Sequence, residues 1–141
     1  MRLNYPKSYN DCVYVLNGRV SRKIGNNTYL RRSEDTVAVR YHSTDIVTFD
    51  QFGSIRLDTG SWHTRSTYAR MWWCGIWIHR SGGVTSVKFN DREYIYSDGM
   101  ILMGNGRVRN AMKGDPEVER AAIRRQKRLD NKPVIKQLGL F

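Results

Sequence analysis

No stretch of the sequence approaches the roughly 18 consecutive apolar residues that a membrane span requires. The opening residues, Met1-Arg2-Leu3-Asn4-Tyr5-Pro6, lack the apolar core of a secretory signal, so a cytoplasmic protein with no membrane partner is expected. Cysteine is scarce. Cys12 and Cys74 stand far apart without a local partner, which excludes a disulfide-dense scaffold and predicts reduced, partly buried thiols. No two Cys or His residues sit at zinc-ligand spacing. No glycine-rich phosphate cradle precedes a helix, and no carboxylate pair marks a two-metal nuclease. Neither a metal nor a cofactor is therefore expected. Acidic residues are also short: 13 Asp and Glu stand against 24 Lys and Arg, a formal charge of +11.

That charge is the first positive signal, because so basic a chain calls for a polyanionic partner, nucleic acid foremost. It is also unevenly spread. From Gly104 to Phe141 there are ten Lys and Arg against four Asp and Glu, which is more than half of the excess. Solubility alone does not ask for such clustering. A chain of 141 residues, 40% hydrophobic and 26% charged, fits one globular domain with a short extension.

From Val13 to about Met103 the pattern is of short strands divided by turns. Strands are expected over Asn27 to Arg32, Thr36 to Tyr41, Asp45 to Phe49 and Ser54 to Asp58. A second series runs over Ile76 to His79, Val84 to Phe89, Glu93 to Tyr96 and Met100 to Met103. In the second strand Val37, Val39 and Tyr41 alternate with Ala38 and Arg40, the sign of one covered face. Asn17-Gly18, Gly25-Asn26-Asn27, Ser81-Gly82-Gly83, Asn90-Asp91 and Asn105-Gly106 favour tight turns, so neighbouring strands should pair antiparallel. Ser66 to Trp73 reads as a short inserted helix. The fold class is α+β: a mostly antiparallel meander over residues 1–103, compatible with closure into a barrel, carrying that helix.

Residues 104–132 read as a flexible exit, Gly104-Asn105-Gly106, followed by a basic helix. Asp115-Pro116-Glu117 is a strong start signal, and the helix should run to about Leu129. Arg120, Arg124, Lys127 and Arg128 fall at i, i+4, i+7 and i+8, on one helical face suited to phosphates. Pro133 should keep residues 133–141 extended. Leu138, Leu140 and Phe141 then stand on a polar, basic arm, an arrangement that makes sense when a partner supplies the pocket.

The stretch Gln137-Leu138-Gly139-Leu140-Phe141 closely resembles the clamp-binding motif of bacterial replication proteins, Gln-Leu, then Ser or Asp, then Leu-Phe. The resemblance implies a partner, the bacterial DNA polymerase III β sliding clamp. It also implies that Leu140 and Phe141 fill the clamp's hydrophobic pocket, Gln137 anchors and Leu138 packs alongside. Gly139 departs from the pattern and leaves the free peptide less preorganised. A looser resemblance covers about a third of the chain. Asn27 to Leu30, Val39 to Thr48, Gly60-Ser61-Trp62 and Thr64 to Arg70 look like small proteins of tailed bacteriophages. It implies a viral origin and the cytoplasm of a bacterial host, and no activity.

Aromatic and basic residues interleave in Trp62-His63-Thr64-Arg65, Tyr68 to Trp73 and Trp77-Ile78-His79-Arg80, as in proteins that stack bases and neutralise phosphates. For Trp72, Trp73 and Trp77 a core role is the stronger expectation. Arg19, Arg22, Lys23, Arg31 and Arg32 form a second candidate phosphate track. His42-Ser43-Thr44 resembles half of the paired signature of two-histidine phosphoesterases. His63-Thr64-Arg65 and His79-Arg80-Ser81 are imperfect second halves.

The expected function is a phage-encoded accessory protein, not an enzyme. It docks on the host clamp and contacts single- or double-stranded DNA, recruiting or inhibiting replication. The alternatives are a nucleic-acid-binding phage protein whose tail is structural, and a small phosphodiesterase or nuclease using His42.

Overall fold

The computed structural model describes residues 5–131. Pro133 and the docking residues Gln137, Leu138, Leu140 and Phe141 lie outside the described residues, as does the expected extended tail. The chain opens with helix α1 (Tyr9–Leu16) and continues as a meander of β1 (Ser21–Gly25), β2 (Thr28–Ser33), β3 (Thr36–Tyr41), β4 (Thr44–Asp50) and β5 (Ile55–Leu57). Helix α2 (Arg65–Trp73) follows, then β6 (Trp77–Ser81), β7 (Val84–Phe89) and β8 (Arg92–Ile95). Two short strands, β9 (Met100–Leu102) and β10 (Val108–Arg109), precede helix α3 (Pro116–Asp130).

The strands form two antiparallel sheets. One has seven strands in the order β1-β2-β3-β4-β5-β9-β10, the other three in the order β6-β7-β8. The larger sheet is open, with β1 and β10 outermost, so the meander does not close into a barrel. The turns explain the antiparallel pairing. Asn90 and Asp91 both take positive φ, 54° and 64°, the two-residue turn whose twist matches the strands it joins.

The pairing register stacks apolar side chains in cross-strand rows. Leu30, Val39, Val47, Leu57 and Met100 make one row, and Val37, Phe49, Ile55, Leu102 and Val108 the next. All but Ile55 and Val108 are buried. This face is closed by Cys12, Val15 and Leu16 of α1, Met71 and Cys74 at α2, and Ile78 and Val87 of the smaller sheet. Each of these side chains gains about 1.5–3 kcal/mol by leaving water. The two thiols are free, and burial pushes Cys12 up to about 12 and Cys74 higher still, so both are neutral packing groups. The other face of the larger sheet carries Lys23 and Arg31, both exposed, with Ala38 between Arg31 and Thr48 in one row. Ala38 is nonetheless buried, so β3 departs from the simple one-face alternation expected of it.

Three elements, α1, β1 and β10, differ from the sequence expectation. Residues 9–16 form a helix rather than the start of the strands. The Ser8 hydroxyl accepts from the Asp11 amide while Asp11 accepts from the Lys7 amide, and Asn17 closes the last turn in the left-handed region. Asn17-Gly18 is therefore a helix cap, not a hairpin. Residues 104–115, expected as an exit, contribute β10 and a bridge between Ile95 and Met112. The inserted helix starts earlier than expected, capped by Thr64.

Helix α3 begins as expected, with Asp115 accepting from the amides of Glu117 and Val118 and Pro116 in the first turn. Its docking rests on Arg120, which is buried rather than exposed to phosphates. The guanidinium donates to Ser81 O (3.0 Å), Ser86 Oγ (3.0 Å) and Glu93 Oε2 (2.7 Å), and also to Glu117. Gly82 and Gly83 permit this approach. A Cβ on Gly82 would meet Arg120 Cγ at 3.1 Å and one on Gly83 would meet Ile123 Cδ1 at 3.2 Å.

Candidate nucleic-acid interface

Helix α2 divides its residues between core and surface. Thr67, Met71 and Cys74, at i, i+4 and i+7, are buried on one side. Arg70 ties the helix to the β1–β2 turn: its Nε donates to Thr28 Oγ1 (2.9 Å) and its Nη2 to Asn26 O (3.2 Å), while its plane lies 3.9 Å from the Tyr41 ring centre. The side facing β6 carries Arg65, Tyr68, Ala69 and Trp72. With His63, Ile78, His79 and Arg80 these residues line a groove of about 490 Å³. Trp72 is half-exposed, 6.1 Å from Trp77 centre to centre, and the Lys88 ammonium sits 4.6 Å above Trp77. His63 and Arg80 also line an adjoining hollow of about 400 Å³ with Thr85, Lys113 and Glu119.

Three interleaved segments, close in sequence between Trp62 and Arg80, thus meet in one groove of rings and cations. Rings and cations so arranged have the chemistry to stack unpaired bases and neutralise phosphates, each stack being worth about 1–3 kcal/mol in proteins that bind single strands. The expected core role fails for Trp72, whose ring faces water. It holds in part for Trp73, which packs edge-on against the buried Tyr5 ring at 5.1 Å.

A second concavity, about 460 Å³, lies on the other side of the α2 start. It is lined by Tyr41, His42, Ser43 and Thr44 at the β3–β4 turn, and by Thr59, Trp62, Thr64, Ser66 and Thr67. Trp62 is 67% exposed although its loop is firmly held. Asp98 accepts from Thr59 N (2.8 Å), Thr59 Oγ1 (2.9 Å) and Tyr96 Oη (2.6 Å), and Asp58 accepts from Gly60 N (2.7 Å). Gly60 takes φ +61° and presses on Thr44, where a Cβ would collide with the threonine hydroxyl. The stretches Val39 to Thr48, Gly60 to Trp62 and Thr64 to Arg70 all contribute to this cleft or to the groove.

Burial opposes ionisation of Asp98, but the bonds from Tyr96 and Thr59 outweigh it and hold its carboxyl below the ordinary range. Hydrogen bonds from Arg120 and Ser86 do the same for Glu93. For a lowered carboxylate, the stability it supplies is complete above its unfolded pKa and is lost as pH falls through the folded one. Melting followed by circular dichroism should show a midpoint that is flat above about pH 5 and falls steadily below about pH 4. Asp98→Asn should lower the neutral-pH midpoint and make the acid limb shallower. An acid limb unchanged in that variant would remove Asp98 as a cause.

The other cations named from sequence do not form one track. Arg22 is half-buried, its Nη1 donating to Val15 O at the end of α1, and Arg32 reaches the Tyr9 hydroxyl on the same side. Lys23 and Arg31 point to the opposite face of the sheet, and Arg19 lies in the turn after α1. Arg124, Lys127 and Arg128 are exposed, whereas Arg120 on their face is consumed by docking. His42 lines the cleft, while His63 and His79 line the groove, so the histidines of the phosphoesterase pattern do not share one cavity. Among the described residues no three His, Cys, Asp or Glu side chains are grouped to hold a metal, and no helix is long and apolar enough to cross a membrane. Sequence reasoning missed the cleft, which depends on Asp98 bracing a loop 39 residues away. Comparison with protein-family models, curated proteins and solved structures gives no match for this chain.

Proposed function

We propose that the protein is a phage-encoded accessory protein of replication that holds unpaired nucleic acid in the groove between α2 and β6. Gln137, Leu138, Leu140 and Phe141 then dock it on the bacterial DNA polymerase III β sliding clamp in the host cytoplasm. The observation that carries the nucleic-acid part is the groove itself. Exposed Trp72 and His63, with the partly buried Tyr68 between them, stand among Arg65, His79 and Arg80, on a chain of net charge +11. The clamp part rests on the resemblance of the five residues from Gln137. The two parts reinforce each other, because nucleic-acid contact raises the effective concentration of a weak docking peptide at the clamp.

Fluorescence anisotropy with a labelled single-stranded oligonucleotide tests the groove. Arg65→Ala should weaken binding at every sequence and reduce the log–log salt slope by about one unit. Trp72→Ala should cost about 1–3 kcal/mol of binding with little change in that slope. Both side chains are at the surface, so folding survives their loss. Wild-type affinity and slope in both variants would refute the assignment.

A further inference from the structure

We propose that the cleft beside Trp62 takes the base and sugar of one unpaired nucleotide from a strand lying in the α2–β6 groove. This rests on the nucleic-acid reading above and adds a specific site to it. Trp62 is the first observation. The indole is 67% exposed, on a loop whose backbone is tied at Thr59 by Asp98 and at Gly60 by Asp58. A ring carried on a tied backbone leaves less chain to order when a flat partner binds.

The lining supplies the second observation. Among the described residues that form the cleft none is a carboxylate, a lysine or an arginine. The side-chain hydroxyls of Ser43, Thr44 and Ser66 lack hydrogen-bond partners among the described residues. Each can donate or accept, so together they suit the edge of a base or the hydroxyls of a sugar. A volume of about 460 Å³ matches a small-ligand site.

The third observation chooses between those two ligands. Trp62 and Thr64 line the cleft, which has no Lys, Arg, Asp or Glu among its described lining residues, while His63 and Arg65 line the groove that also holds Arg80. The four consecutive residues thus form a wall between a place for a neutral ring and a place for phosphates. A nucleotide needs both sides; a neutral saccharide has no use for the cations. Extruding one base from a strand is least costly when the strand is already single.

The test is a coupling measurement. A short oligothymidylate and versions with one abasic residue at each position in turn are titrated into wild type and Trp62→Ala. At one position the abasic change should weaken wild type about tenfold, the size of one base–aromatic stack, and should cost Trp62→Ala nothing further. Trp62→Phe should restore most of the dependence. Equal abasic penalties in both proteins, with salt-dependent binding intact, would overturn the cleft and leave the groove standing. No binding of the oligonucleotide to wild type would take down both. A neutral oligosaccharide that quenches Trp62 fluorescence when the oligothymidylate does not would reassign the cleft to sugars.

Discussion

Arg120→Ala is expected to destabilise the protein by about 3 kcal/mol and to lower its melting temperature by about 10 °C. The side chain is 8% exposed and Glu93, its main partner, 23%. Removing the guanidinium leaves the Ser81 carbonyl without its side-chain donor and the Glu93 carboxylate without its cation, though still bonded to the Ser86 hydroxyl. A broken buried pair costs about 3–5 kcal/mol, and the partial exposure of Glu93 places this case at the lower end. Arg120→Met combined with Glu93→Gln should recover part of the loss, because only the exposed Glu117 is then left without its cation while the packing against Gly82 is kept. Urea unfolding of the three proteins measures the difference. A loss under about 0.5 kcal/mol in Arg120→Ala would show a surface cation, and would return Arg120 to the phosphate-binding face expected from its spacing.

The second large effect concerns the clamp. A short docking peptide binds with a dissociation constant of order micromolar, about −8 kcal/mol. Leu140→Ala with Phe141→Ala removes two side chains worth about 1.5–3 kcal/mol each in a pocket. Binding should therefore weaken by at least about a hundredfold, enough to abolish co-elution with a bacterial clamp on a sizing column. Undiminished co-elution by the double variant would sink the docking assignment. The same variant separates docking from a structural role for these residues. Docking predicts an unchanged melting temperature, whereas a segment that completes the fold predicts a drop of several degrees. Expression in the host divides the outcomes further: arrest of DNA synthesis that needs Leu140 and Phe141 marks an inhibitor, and no arrest marks recruitment.

Local signals placed much of this fold. The bounds of β3 and β7 coincide with the apolar runs Thr36–Tyr41 and Val84–Phe89, and α3 starts where Asp115-Pro116-Glu117 places it. Errors arose where one local signal serves two structures. Val13-Tyr14-Val15 has strand-forming residues, and Asn17-Gly18 suits a hairpin as well as a helix cap, so α1 was hidden behind its own propensities. Strand β1 has no apolar alternation to announce it; pairing with β2 makes it a strand. Arg120 does share a helical face with Arg124, Lys127 and Arg128. Only the distant Ser86 and Glu93 decide that this turn of the helix docks while the later ones stay in water. The groove's rings and cations were readable as interleaved segments, but their convergence follows from α2 packing beside β6. The cleft was not readable at all, since it needs the long-range tie between Thr59 and Asp98.

The outermost position of β1 has a consequence for assembly. Among the described residues no strand pairs with its outer side, and such an edge is a template on which another chain's strand adds readily. A second copy laid antiparallel there could set Arg22 against the copy's Lys23 and Lys23 against its Arg22, and the register shift between Lys23 and Gly25 bends the ladder out of true. β10, at the opposite margin, has only two residues to offer. Like charges set against each other in this way disfavour edge-to-edge growth of the sheet, as lysines and arginines on edge strands do in general.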